Sequence, residues 1–71
     1  MSKKLYEKWA TTADELRSLV EEHRGELMDK FDALSEKAQE GTSGEKLQEV
    51  IDILENVQTN LEDATSQLSE L

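Results

Sequence analysis

Residues 47–71 read LQEVIDILENVQTNLEDATSQLSEL, and Leu47, Val50, Leu54, Val57, Leu61, Ala64, Leu68 and Leu71 recur there in steps of three and four without a slip. Apolar residues at that spacing form one stripe along a helix, and a run this regular is a heptad seam. With Leu47 at position a, every a is Leu and the d positions are Val50, Val57, Ala64 and Leu71. The acids after Lys46 (Glu49, Asp52, Glu55, Glu62, Asp63 and Glu70) then all fall at b, c or f, on the outer face. The flanking e and g positions carry no charge: Ile51, Ile53, Gln58, Asn60, Thr65 and Gln67 make a wide, mildly apolar face suited to more than one neighbouring helix.

One interruption precedes this helix, Glu40-Gly41-Thr42-Ser43-Gly44-Glu45, in a chain without proline. Gly41 suits a left-handed position closing the helix before it, and Thr42 with Glu45 forms a capping-box pattern that opens the next. So short a link joins antiparallel helices. The first half has its own stripe, Leu16, Val20, His23, Leu27, Phe31, Leu34 and Ala38, with two successive four-residue steps between His23 and Phe31. Relative to strict heptads that is a stutter, which predicts local unwinding near residues 27–31. Gly25 lies just before it, where a glycine costs roughly 1 kcal/mol relative to Ala and marks a close approach, a bend, or a tolerated surface site.

Upstream, Thr11 with Asp14 and Thr12 with Glu15 are overlapping cap patterns, compatible with a short first helix over residues 3–10 or with one helix from residue 3 to residue 40. The expected fold is all-α: a single domain, residues 1–71, forming an antiparallel helical hairpin with helix 1 over about 12–40, a turn at 41–44, helix 2 over about 45–71, and an N-terminal overhang at 1–11. With a turn centred near residues 42–43, residue i lies beside 85 − i, which leaves residues 1–13 without a partner in their own chain. That segment holds Leu5, Tyr6 and Trp9, so it is expected to fold back over Leu68 and Leu71 or to dock on another subunit.

Composition limits how such a hairpin is stabilised. Leu, Ile, Val and Phe are 16 of 71 residues, not far above the roughly 20% below which charged chains tend toward disorder. There is no cysteine and no zinc-ligand spacing, so oligomerisation is the remaining aid for a small domain. Leu at a with β-branched residues at d leans toward more than two helices, and a four-helix bundle of two hairpins, or a larger oligomer, is expected. The interface residues expected for a subunit or partner are Leu5, Tyr6, Trp9, Ile51, Ile53, Leu54, Val57, Leu61 and Leu68.

The net charge is −9, and acidity grows along the chain: residues 1–24 carry five bases and five acids, residues 42–71 one base and seven acids. A duplex nucleic-acid binder needs a basic face to displace counterions, and Lys3, Lys4 and Lys8 are the only basic cluster, so direct nucleic-acid binding is not expected. Nor is a membrane span, since no apolar run approaches 18 residues. The start MSKKLYEKW has no apolar h-region, so the expected location is cytoplasmic.

Chemistry-bearing motifs are few. His23 is the single histidine, without Cys or a Glu-x-x-His pair, so no metal or cofactor is expected, and its place on the stripe reads as packing. Gly41-Thr-Ser-Gly44 lacks the phosphate-loop spacing and lysine, and no nucleophile–base spacing stands out, so the protein is read as no enzyme. Lys4, Tyr6, Lys8 and Trp9 combine cations and rings within six residues, the ingredients for gripping an anionic, stackable ligand such as a nucleotide. The functional expectation is a protein–protein interaction module (adaptor, chaperone or inhibitor) acting through a bundle face, on itself and on a partner protein. The alternatives are an acidic nucleic-acid mimic that inhibits a nucleic-acid-binding enzyme and an oligomeric nucleotide sponge.

Overall fold

The computed structural model describes residues 3–71, and all its regular structure is helical: α1 (Lys3–Ala33), α2 (Glu36–Glu40) and α3 (Thr42–Ser69). The two long helices pack against each other, and α2 packs on α3. Residues 7–14 lie beside 65–69, and residues 28–32 beside 48–51, so α1 and α3 run in opposite senses. The molecule is a rod, 57 × 14 × 11 Å, with a radius of gyration of 16.2 Å against about 11 Å for a globular chain of this length.

The buried and half-buried positions Ala10, Ala13, Arg17, Val20, Arg24, Leu27 and Phe31 form the side of α1 toward α3, in alternating steps of three and four that Tyr6 at the helix start and Leu34 just past its end continue. That is an uninterrupted heptad, so the expected stutter is absent. Arg17 and Arg24 stand at the inward positions that the apolar pattern had passed over for Leu16 and His23, because a long aliphatic stem can line the seam while the charged end extends past it, as Arg17 does toward Asp14 and Glu21. Leu16 and His23 are exposed.

On α3 the inward residues are Gly44, Leu47, Ile51, Leu54, Gln58, Leu61, Thr65 and Leu68, again an uninterrupted heptad. The four leucines keep the seam positions read from the sequence. Val57 and Ala64 are half-buried beside the seam, whereas Val50 and Leu71 are exposed. Ile51, 6% exposed, is the most buried side chain of α3 and lies inward, beside Met28 and Phe31 of α1.

The connection also differs. α1 ends at Ala33, not at residue 40, and Leu34 N–H turns back to the Phe31 carbonyl at 3.1 Å. Ser35 then caps α2 by accepting from Ala38 N–H at 3.2 Å. Gln39 closes the arrangement: its Nε2 donates to the carbonyls of Phe31 (3.0 Å) and Leu34 (3.2 Å) at the end of α1. Gly41 is extended (φ −90°, ψ −173°) instead of left-handed, and α3 begins directly after it. Thr42 is therefore inside the helix and forms no capping box.

Gly44 is buried because α2 crosses it. A Cβ at residue 44 would lie within 2.5 Å of Cα and C of Gln39, so only glycine permits this approach. Since α2 takes up part of the connection, Phe31 sits beside Gln48 and Asp14 beside Thr65, pairs adding to 79 instead of 85. The six-residue shift carries Ala10 under α3, where it is 7% exposed, and leaves only the first few residues of α1 beyond the seam.

Thr11 and Thr12 do not interrupt α1. Their hydroxyls donate to the carbonyls of Glu7 and Lys8, each at 3.0 Å, which satisfies them inside the helix instead of at a cap. Gly25 likewise sits within α1, and a Cβ there would meet nothing within 4 Å, so it marks neither a close approach nor a helix end.

Candidate functional site

The paired seams divide the outer surface of the rod into two flanks. At 3.6 residues per turn, the position before an inward residue and the position after it point to opposite sides of the helix. When two helices run in opposite senses, the preceding positions of both lie on the same flank, and so do the following ones. The structure bears this geometry out on the following side, where Met28 and Asp32 of α1 line one groove with Gln48 of α3, and Glu7, Thr11 and Asp14 line another with Ser69.

The preceding positions on α1 are Leu5, Trp9, Thr12, Leu16, Leu19, His23, Glu26 and Lys30; on α3 they include Lys46, Val50, Ile53, Val57, Asn60, Ala64 and Gln67. By position this flank holds six of the large apolar side chains left at the surface: Leu5, Trp9, Leu16, Leu19, Val50 and, at its outer rim, Ile53, which also lines a groove with Glu45, Gln48 and Asp52. Trp9 is 48% exposed and Leu19 62%. Isolated apolar side chains at a surface are ordinary; these six lie along one side of the rod.

The following positions carry the opposite chemistry. They include Glu7, Asp14, Glu21 and Asp32 on α1 and Glu45, Asp52, Glu55 and Glu62 on α3, with no Lys or Arg among them. Arg17 bends from the seam toward this side, with Nε 3.0 Å from Asp14 Oδ1 and a terminal nitrogen 2.7 Å from Glu21 Oε2. Its hydrogen bonds to Asp14 and then Glu21 raise its pKa further above the usual arginine value.

The expected interface residues thus separate into two groups. Leu5, Trp9, Ile53 and Val57 fall on the apolar flank, whereas Tyr6, Ile51, Leu54, Leu61 and Leu68 belong to the α1–α3 seam. Trp9 is half-exposed, and its ring packs at 5.6 Å and 53° against Tyr6, one turn earlier. Leu16, Leu19 and Val50 are flank residues that the sequence reading placed elsewhere or passed over. Their signal was present in the spacing from Trp9 to Leu16 to Leu19, masked because Leu16 had been assigned to the inward stripe.

The four proposed ligand contacts do not share a side of α1. Lys4 and Lys8 follow each other one turn apart, at least about 100° around the helix from either the Tyr6 or the Trp9 ring. His23 is at the surface with Nδ1 3.6 Å from Glu26 Oε2, off the inward stripe on which it was expected. Among the described residues no group of three or more His, Cys, Asp or Glu is placed to hold a metal ion, and no helix is long and apolar enough to cross a membrane.

Within the seam, Arg24 Nε and Gln58 Oε1 are both buried without a hydrogen-bond partner. They stand at neighbouring levels of the two helices and make a polar layer in the seam, which also holds Arg17 and Thr65. No protein-family model, curated protein or solved structure matches this chain.

Proposed function

We propose that this chain is a non-enzymatic protein–protein interaction module of the cytoplasm, an adaptor, chaperone or inhibitor. In this reading it is an antiparallel helical hairpin that lends one flank to a bundle of four or more helices. The observation that carries the reading is the collection of Leu5, Trp9, Leu16, Leu19, Val50 and Ile53 on one flank. The exposed surface supports it: 5446 Å², against on the order of 4,500 Å² for a folded monomer of this mass. A rod with so thin a seam gains most from covering one side, as helix-in-groove recognition does.

The experiment compares capture from an extract of the source cells by the wild-type chain, by L16E/I53E and by E21K/D52K/E55K. A protein held by the wild type and the lysine variant, and lost by L16E/I53E, is the expected result. Equal retention by L16E/I53E overturns the role of the apolar flank.

A second reading draws on the acidic flank. Eight acids along one side of a rod resemble a row of phosphates and favour an inhibitor that occupies a nucleic-acid-binding enzyme. In that case E21K/D52K/E55K loses its partner, L16E/I53E keeps it, and binding weakens steeply as salt rises.

A further inference from the structure

We infer that the apolar flank is where two copies of this chain meet, flank to flank, as a four-helix bundle. This rests on the reading that the flank takes up further helices, and it names what takes it up. The argument is the distribution of charge. A chain of net charge −9 repels its own copy over most of its surface, so the question is where two copies can approach.

The flank that follows the inward residues carries eight acids, two of which, Asp14 and Glu21, pair with Arg17 reaching out from the seam. A basic partner is drawn there, and a second copy is kept away. The apolar flank has only Glu26, Lys30 and Lys46 as charged groups, besides His23, and so carries no net negative charge. It is the side on which a like-charged copy meets apolar surface and no row of acids. Docking there turns both acidic flanks outward, separated by the full thickness of the bundle, well beyond the roughly 8 Å over which salt at physiological strength leaves charges in communication.

Area agrees with the assignment. A side 57 Å long and 14 Å wide offers a footprint of roughly 800 Å², about what each partner contributes to a specific interface. Trp9, Leu16 and Ile53 supply the large side chains that anchor such contacts. The self-complementary use of one surface is what a two-fold dimer requires. A protein partner reaching the same flank then replaces one copy of the chain.

The test is the absolute mass in solution, by light scattering coupled to size exclusion, from about 5 μM to about 500 μM. The wild type is expected at twice the 8.1 kDa chain mass. L16E/I53E is expected at the single-chain mass with its helical circular dichroism retained, while Thr59→Glu, on the acidic flank, stays dimeric. If L16E/I53E loses helix, Leu19→Glu repeats the test at a side chain already 62% exposed. Trp9 emission shifts to the blue as the wild type associates and stays unshifted in the variant.

A wild-type chain at single-chain mass over the whole range overturns the inference. So does a dimer that survives L16E/I53E and Leu19→Glu, or one that Thr59→Glu dissociates. A single-chain mass together with partner capture lost in L16E/I53E removes the second copy and leaves the proposed function intact. A dimer lost in L16E/I53E with capture unchanged does the reverse.

Discussion

Replacing Gly25 and Gly44 by alanine sets helix propensity against packing in opposite surroundings. At Gly25 a methyl group meets nothing within 4 Å, so the gain in propensity is unopposed. Gly25→Ala is expected to stabilise the chain by about 0.5–1 kcal/mol, a rise in Tm of roughly 2–8 °C in thermal circular dichroism. At Gly44 the same methyl group collides with the backbone of Gln39, which no rotamer change relieves. Overpacking of about 1–3 kcal/mol exceeds the propensity gain of about 1 kcal/mol, so Gly44→Ala is expected to lower Tm in the same measurement. Both glycines are plain in the sequence, and Gly41 falls where α2 ends and α3 begins. Their individual roles are not legible there: whether a Cβ fits at residue 44 depends on where α2 crosses α3. Residue 44 was assigned to the turn, yet it lies inside α3 at a contact.

At the scale of elements, α2 depends on its partners. Five residues are too few to hold a helix by their own hydrogen bonds, and Ser35 and Gln39 supply what is missing. Gln39→Ala removes two hydrogen bonds worth about 0.5–1.5 kcal/mol each, and should cost about 1–3 kcal/mol. Amide exchange is expected to accelerate in residues 35–41 while the middles of α1 and α3 stay protected; uniform acceleration would mean that α2 is integral to the whole rod. In the seam, Gln58 Oε1 is buried without a partner, and Gln58→Leu is expected to raise the urea midpoint, by a stability gain of about 1 kcal/mol. A lower midpoint would show that the polar layer holds the two helices in register. This layer also explains why the sequence concealed the period of α1. A search for apolar residues steps over Arg17 and Arg24, finds Leu16 and His23 one position away, and reads the detour as a stutter.

For the whole molecule, the separation of an apolar flank from one with eight acids has a consequence for stability. Those acids repel one another in the folded rod more than in an extended chain. Screening shrinks their reach from about 30 Å at 0.01 M ionic strength to about 3 Å at 1 M. Tm is therefore expected to rise with sodium chloride over that range. A fall would mean that the Arg17 pairs with Asp14 and Glu21 outweigh the repulsion, contrary to the small effect usual for exposed pairs.

By itself the sequence determined the helical class, the leucine seam at Leu47, Leu54, Leu61 and Leu68, and a break in the helix at Gly41. Each follows from local rules: the spacing of apolar residues, the absence of proline, and glycines clustered at one place. It also contained the two chemistries of the surface, since the acids and the apolar residues are written in it. Only the tertiary structure decided which neighbour of each leucine turns inward, because Ile51 and Val50 are equally apolar and only the approach of α1 favours one. The same packing set the register. Six residues of slippage separate a bare turn from one that contains α2, and local spacing is blind to a short helix whose own glutamine side chain bonds back to the end of α1. From that register and the inward arginines follow the two flanks, a property of the paired helices that neither helix has alone.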